Sequence, residues 1–276
     1  MRRTAMHDLH DIEAEIRSRG GDVGLPCTLL ESVDSTNDEA KRSARSGAPH
    51  GSLWVAETQT NGRGRQGRAW VSPRGEGLTF SVLLRAPMPL ERLPLISLAA
   101  GLAVRDAIAR VVIDEPVLVK WPNDVVVGGK KIAGILAESI VCGGRAEAVV
   151  VGVGINVHTR QFPAEIADRA TSVALCQKGA TVSSSAAPNL RAAILADTVH
   201  EIGRNAVYVV ARGLGLIHAR LVAADALRGA FVSNGSAGGV AAGIDLDGRL
   251  IVRDNEGNSV FWNAGEVHLG AKHNGS

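Results

Sequence analysis

"KWPNDVVVGGKKIAGILAE", Lys120–Glu138, is the stretch from which the fold is read. Two β-rich runs, Val125–Val127 and Lys131–Glu138, flank "GGK" and predict a hairpin. Lys120 ends the preceding strand "VLVKW". Pro122 breaks that strand, and Asn123 and Asp124 begin a turn. Lys130 reads as a solvated lysine. Lys131 enters the second strand beside Gly134, and that strand is otherwise apolar. Its ammonium is either another solvated charge or lies over a pocket.

Working outward, "EAVVVGVGINV" (Glu147–Val157) is apolar on both faces, as a central strand should be. Strand side chains alternate, so Gly152, Gly154 and Asn156 share one face while Val151, Val153 and Ile155 fill the other. The glycine face is either a shelf for a flat ligand, with an amide at its edge, or a place of close sheet–helix packing. A dinucleotide fingerprint fails here, because Val157 replaces the third glycine and Pro163 interrupts any helix.

On the N-terminal side, "TLLES", "SLWVAET" and "LTFSVLLRA" read as strands. "STNDEAKRSARSG" reads as a helix, with Ser35 or Thr36 as cap and Gly47 after its end. Ser35, Thr36 and Asn37 are then a helix cap and no more, or small donors and acceptors reading a polar ring. From Leu90 to Val112, Leu95, Leu98, Leu102 and Ile108 recur at helical spacing with arginines elsewhere, predicting an amphipathic helix. Residues 188–227 are mostly helical. After Arg228 come short β segments with tight turns such as "DLDGR" and "DNEGN". The fold class is α+β. The domains are a tail or short helix (1–24), a main domain (25–226) and a small all-β module (227–276).

"GRGRQGRAW" (Gly62–Trp70) interleaves three arginines with three glycines. Arg63, Arg65 and Arg68 offer fork-shaped donors matched to phosphate or carboxylate, and the glycines let backbone approach. Alone, the segment is equally a solvated loop or a ligand loop, with nucleic-acid contact a third reading. The net charge of +2 restricts any basic function to a local patch. Aromatic residues at 3% argue against a stacking platform for single strands. Cys27, Cys142 and Cys176 form no zinc or disulfide pattern and suit a reducing cytoplasm. The N-terminus lacks the apolar core of a signal peptide, and no apolar run is long enough to span a membrane.

In combination these segments are more specific. "STN", "AETQTNGRGRQGRAW", "KWPNDVVVGGKKIAGIL" and "GVGIN", in this order, resemble the biotin protein ligases (biotin–[acetyl-CoA-carboxylase] ligases). The resemblance is dense from about Leu29 to Val157. It continues more thinly through "FPAEIADRATSVA", "GIDLDGRL" and "NAGEVHLG". It implies a mixed β-sheet with helices on one face, shared with class II aminoacyl-tRNA synthetases and lipoate ligases, followed by an SH3-like β-barrel. It implies ATP, Mg²⁺ and biotin as reactants, biotinyl-5′-adenylate as intermediate, and a lysine of a biotin carboxyl carrier protein as acceptor.

By the same resemblance, Ser35, Thr36, Asn37 and Gln59 hold the ureido ring and neighbouring parts of biotin. Arg63, Gly64 and Arg65 close over the valeryl chain and acyl phosphate. Lys131 contacts the carboxylate or α-phosphate, and Gly134 and Ile135 wall the pocket with the Gly152–Gly154 shelf. Trp70 lies beside the adenine. Lys120, Asn123, Asp124 and Asn156 belong to the nucleotide and metal side, with Asp124 the candidate Mg²⁺ ligand and Arg68 among the adenylate contacts. Residues 158–173 correspond to an adenylate-covering loop. Two departures modify the expectation. No N-terminal DNA-binding domain precedes the ligase motifs, so operator binding is not expected. Gly270 stands where some relatives carry arginine, which puts that arginine's contact in doubt. The expected protein is a cytoplasmic monomer or weak homodimer. Its rivals are a lipoate–protein ligase and a nucleic-acid-binding module.

Overall fold

The computed structural model describes residues 6–177 and 189–270, apart from Ser236, Ala264 and Glu266. Residues 1–5 of the expected tail, residue 188 of the expected helical stretch, and two positions of "NAGEVHLG" lie outside the described residues.

The main sheet contains β1 (Cys27–Leu30), β2 (Leu53–Ala56), β3 (Gly77–Leu84), β4 (Val117–Lys120), β5 (Asp124–Val127), β6 (Lys130–Cys142) and β7 (Arg145–Asn156). Their order is β1-β2-β3-β7-β6-β5-β4. β1 pairs parallel with β2 and every other pair is antiparallel, which makes the sheet mixed. The β5–β6 turn is Gly128–Gly129, both at positive φ (56° and 77°). That is the primed hairpin geometry only glycine reaches without strain. Lys130 therefore already belongs to β6, one residue earlier than the sequence pattern suggested.

Alternation assigns each face. Val149, Val151, Val153 and Ile155 of β7 join Leu78, Phe80, Val82, Ala133 and Ile135 in the main core. Helices α3 (Leu93–Ala109) and α5 (Leu190–Arg212) close that core. The amphipathic expectation for α3 understates its burial. Ile96, Ala100, Ala103 and Val104 are buried beside the predicted Leu95, Leu98, Leu102 and Ile108, because α5 covers the side away from the sheet. α1 (Ile12–Ser18) decides between the tail and helix readings: Ile12 and Ile16 are buried in the same core, where the helix packs on α5.

Helices are not confined to one face. α2 (Thr36–Arg45) packs Ala40 and Ala44 on the opposite face, against Trp54, Leu83, Ala148 and Val150. It covers only that end of the sheet, and beside it the face carries glycines and hydroxyls.

The short α4 (Val173–Cys176) and α6 (His218–Ala223) precede a second, antiparallel sheet. Its strands are β8 (Phe231–Asn234), β9 (Ala237–Ile244), β10 (Leu250–Arg253), β11 (Ser259–Trp262) and β12 (His268–Leu269), in the order β11-β10-β9-β8-β12. The "DLDGR" turn joins β9 to β10, as its Asp and Gly predicted. Trp121 Nε1 donates to Gly248 O of that turn at 2.9 Å. The β module thus buttresses the residue just before Pro122. Gly270 N donates to Phe231 O at 3.0 Å, and a Cβ on Gly270 would sit 2.7 Å from the Phe231 ring. Among the described residues, no helix is long and apolar enough to cross a membrane.

Candidate active site

The face that carries α2 also carries the site. β3 and β7 bring Thr79 opposite Gly154 and Ser81 opposite Gly152, and β6 adds Gly134 and Leu136 beside the same two glycines. Gly134, Gly152 and Gly154 make the low part of a floor that Thr79, Ser81 and Leu136 border. Protein side chains lie directly on it: a Cβ on Gly152 would fall 2.3 Å from Asn37 Oδ1, and one on Gly154 only 2.2 Å from the Trp70 indole. In this structure both glycines are covered by the chain's own side chains, Gly152 by Asn37 of α2 and Gly154 by the flat indole of Trp70.

At one side of the floor, the start of α2 makes a connected polar cluster. Thr36 donates to Gln59 Oε1 through both its backbone N–H (2.8 Å) and its hydroxyl (3.1 Å). The buried Ser81 hydroxyl donates into the pair formed by Thr36 Oγ1 (2.7 Å) and Asn37 Oδ1 (2.6 Å). Asn37 Nδ2 donates to Leu136 O (3.2 Å) and Glu138 Oε2 (2.7 Å). Ser35 occupies the N-cap position in extended backbone, yet its side chain makes no capping hydrogen bond. The hydrogen-bonding groups of Thr36 and Asn37 instead join the cluster with Gln59, Ser81 and Glu138.

The arginine–glycine segment folds back as a hairpin. Arg63 bridges Ala69, Gly64 N donates to Arg68 O (2.6 Å), and Trp70 N donates to Gly62 O (2.9 Å). Gly62 is required by closeness, since a Cβ would meet Trp70 O at 2.4 Å. Gly67, at φ 72°, forms the tip with Gln66. Arg65 Nη1 donates to Asn123 Oδ1 (3.0 Å), and Asn123 in turn exchanges hydrogen bonds with Ile135 N and O. Arg68 is exposed on the outer strand of the hairpin.

Lys131 lies over Gly134, where a Cβ would be 2.9 Å from Nζ, and Nζ stands 5.7 Å from the Trp70 ring. Lys131 thus reaches across the floor to Trp70 while its side chain stays 38% exposed. Its ammonium is 2.6 Å from Asp124 Oδ1. The backbone of Lys131 also anchors the following loop: Lys131 N donates to Arg169 O (2.8 Å) and Lys131 O accepts from Thr171 N (2.9 Å). Asn156 Nδ2 donates to Thr171 O at 3.0 Å. Residues 158–173 are thereby tied to the rim of the site, and Asn156 is a fastener for that loop.

Charges cluster where the hairpin meets α2. Arg63 forms a bidentate pair with Asp38 at 2.5 and 2.6 Å, and Lys41 donates to Glu138 Oε1 at 2.6 Å. The Arg63 hydrogen bond holds the Asp38 carboxyl below the usual carboxylate range, against an opposing effect of burial. For Glu138, burial pushes the carboxyl up. The bonds from Lys41 and Asn37 and the nearby Arg63 outweigh that, and it too lies low. Both are ionised at neutral pH.

Some expected residues sit elsewhere. Ile135 points into the core, touching α3 near Gly101, because it is one position out of phase with Gly134. Only its main chain reaches the site side. Trp70 lies on the glycine floor, where the fold already makes a place for it. Lys120 pairs in register with Asp124 at the sheet edge. The described residues contain no group of three or more His, Cys, Asp or Glu suited to a metal ion.

The solved structures and family models that match this arrangement agree. Residues 29–156 match the Biotin/lipoate A/B protein ligase family, and residues 230–270 the Biotin protein ligase C terminal domain. The biotin protein ligase from Aquifex aeolicus, solved in complex with biotin and ATP, superimposes with a TM-score of 0.70 at 30% identity, covering 88% of this chain and 98% of that one. The chain belongs to the biotin protein ligase family. A biotin–[acetyl-CoA-carboxylase] ligase of Mycobacterium tuberculosis is 41% identical over 149 residues, 52% of this chain and 53% of that protein. The bifunctional ligase/repressor BirA of Bacillus spizizenii is 39% identical over 156 residues, 55% of this chain and 47% of that protein. The chain thus spans about half the length of these curated relatives.

Around the candidate site stand residues the motifs did not point to: Asp38, Lys41, Ser81, Leu136 and Glu138. Leu136 and Glu138 follow Gly134 at period two, so alternation along β6 could have placed them on the site face. Ser81 needed the β3–β7 register.

Proposed function

We propose that this protein is an ATP-dependent biotin protein ligase that forms biotinyl-5′-adenylate and transfers biotin to a lysine of a biotin carboxyl carrier protein. One observation carries this reading: Lys131 Nζ stands over Gly134 beside the Trp70 indole of the arginine-bearing hairpin, and Asn37 of the polar cluster with Thr36 and Gln59 lies on the neighbouring Gly152. A carboxylate laid on that floor has its polar ring against the cluster and its charge at Lys131. The attack of a carboxylate on an α-phosphate is opposed by like charge. Positioning and a preorganised cation are then what the protein must supply. The acid itself is the nucleophile, and the ammonium exchanges Asp124 for the developing charge.

Magnesium enters this reading with the nucleotide, as MgATP. Asp124 Oδ1 is buried 2.6 Å from the Lys131 ammonium, and no group of three or more His, Cys, Asp or Glu surrounds it among the described residues, so at most it would add one carboxylate to a magnesium ion carried by the phosphates. The hairpin and the 158–173 loop shield the acyl adenylate from water until the acceptor amine arrives. Because Trp70 rests on Gly154, we infer that its indole swings aside when the acid enters, while Arg63 keeps its hold on Asp38, and then borders the adenylate.

The carried-over roles of Arg63, Arg65, Arg68, Lys120, Asn123 and Asn156 belong to this proposal. A nucleic-acid module is disfavoured, since Arg63 and Arg65 turn inward to Asp38 and Asn123. The lipoate reading is tested by supplying each acid with MgATP and following acid-dependent pyrophosphate release. Release with biotin is expected, and release with lipoate alone removes the assignment. Lys131→Ala should fold normally and lose about 10²–10³-fold in adenylation. A parental rate in that variant would deprive Lys131 of its role.

A further inference from the structure

Arg63 is not a loose cation on the lid. Its two Nη atoms clasp Asp38 at 2.5 and 2.6 Å, and Nη2 lies 3.5 Å from Glu138 Oε2. Lys41 Nζ sits 2.6 Å from Glu138 Oε1 and 3.9 Å from Asp38 Oδ1. Two cations and two anions cancel within this group, so it lends the floor little net charge. Its geometry suggests a mechanical part. Asp38 belongs to the first turn of α2, which Ala40 and Ala44 anchor on the sheet. Arg63 belongs to the inner strand of the hairpin, whose outer strand runs to Trp70 through the Trp70–Gly62 hydrogen bond. A planar guanidinium held by both carboxylate oxygens fixes direction as well as distance. The chain of contacts therefore runs from a rigid helix, through one ion pair, to the indole that lies on Gly154.

We propose that Asp38 is a positioning residue: by clasping Arg63 it latches the Gly62–Trp70 hairpin over the floor, and so governs how long the acyl adenylate is retained rather than how fast it forms. The identity of the retained molecule rests on the ligase reading above. The latch itself does not.

The test uses the full chain and Asp38→Asn, which keeps the side chain's size and removes its charge. In the protein alone, hydrogen exchange at the Gly64 and Trp70 amides should quicken by about tenfold, while the amides of β7 stay as in the parent. With biotin and MgATP, the half-life of enzyme-held adenylate after rapid desalting should shorten by about tenfold and KM for biotin should rise. The first-turnover pyrophosphate burst should stay within about threefold of the parent. Asp38→Glu should restore most of the retention, because it restores the carboxylate. Unchanged hairpin exchange together with unchanged retention overturns the latch. So does an equal fall in burst and retention that glutamate does not rescue, since that marks a merely structural residue. Should Asp38→Asn fail to fold, Arg63→Lys probes the same link from the other end. One ammonium cannot make the parallel pair, so hairpin exchange should again quicken, and parental exchange would sink the proposal. If the parent makes no adenylate, the ligase reading fails while the exchange measurement still decides the latch.

Discussion

The two faces of β7 are one residue apart in sequence and have opposite characters. Val149, Val151, Val153 and Ile155 are buried among aliphatic neighbours under α3. Gly152, Gly154 and Asn156 face Asn37, Trp70 and the loop at Thr171. The first face is filled by its own side chains and holds the sheet together. The second is kept nearly empty, and its contents are side chains borrowed from α2 and a hairpin. Stability and chemistry can therefore be damaged separately in this protein.

The sharpest contrast comes from Phe80 on the core face. Phe80→Ala leaves a cavity in a fully buried site and should cost about 3–5 kcal/mol in denaturant unfolding. Loss of stability by less than 1 kcal/mol would mean that this face is not the structural one. Next in size is Gly154→Val on the other face. The added Cβ falls 2.2 Å from the Trp70 indole, whose hairpin can swing away. Adenylation should drop by about 10²-fold with unfolding nearly unchanged. A stability loss matching Phe80→Ala would erase the distinction between the faces.

The smallest effect is in pH. Asp38 has a folded-state pKa below its ordinary value because of Arg63. Its contribution is therefore present above the unfolded value of about 3.9 and disappears as pH falls through the lower folded value. The indole Nε1–H resonance of Trp70 should hold steady from about pH 5 to 8 and move only below about 4. Movement near pH 6 would assign the hairpin's hold to another group.

Much of this was legible in order along the chain. The Gly128–Gly129 turn and the shared face of Gly152 and Gly154 follow from glycine's access to positive φ and from alternation. Lys131 and Gly134 are three residues apart and meet on one face only because the β5–β6 register shifts between them. The family resemblance implies a pocket wall of Gly134 and Ile135 together, whereas alternation sends the Ile135 side chain to the core. What alternation cannot supply is the partner. Asp38 and Arg63 are 25 positions apart and Asn37 and Glu138 are 101 apart, and nothing local to either announces the other.

By itself, the sequence determined the strand periods, the tight turns, the glycine shelf and the family to which they belong, because these depend on neighbours within a few residues. Only the tertiary structure decided that α2 lies across the sheet from α3 and α5, that Trp70 rests on the shelf, and that Arg63 is clasped rather than free. Those outcomes depend on which surfaces meet when the sheet closes, and burial and charge pairing choose among them only once the whole chain is folded.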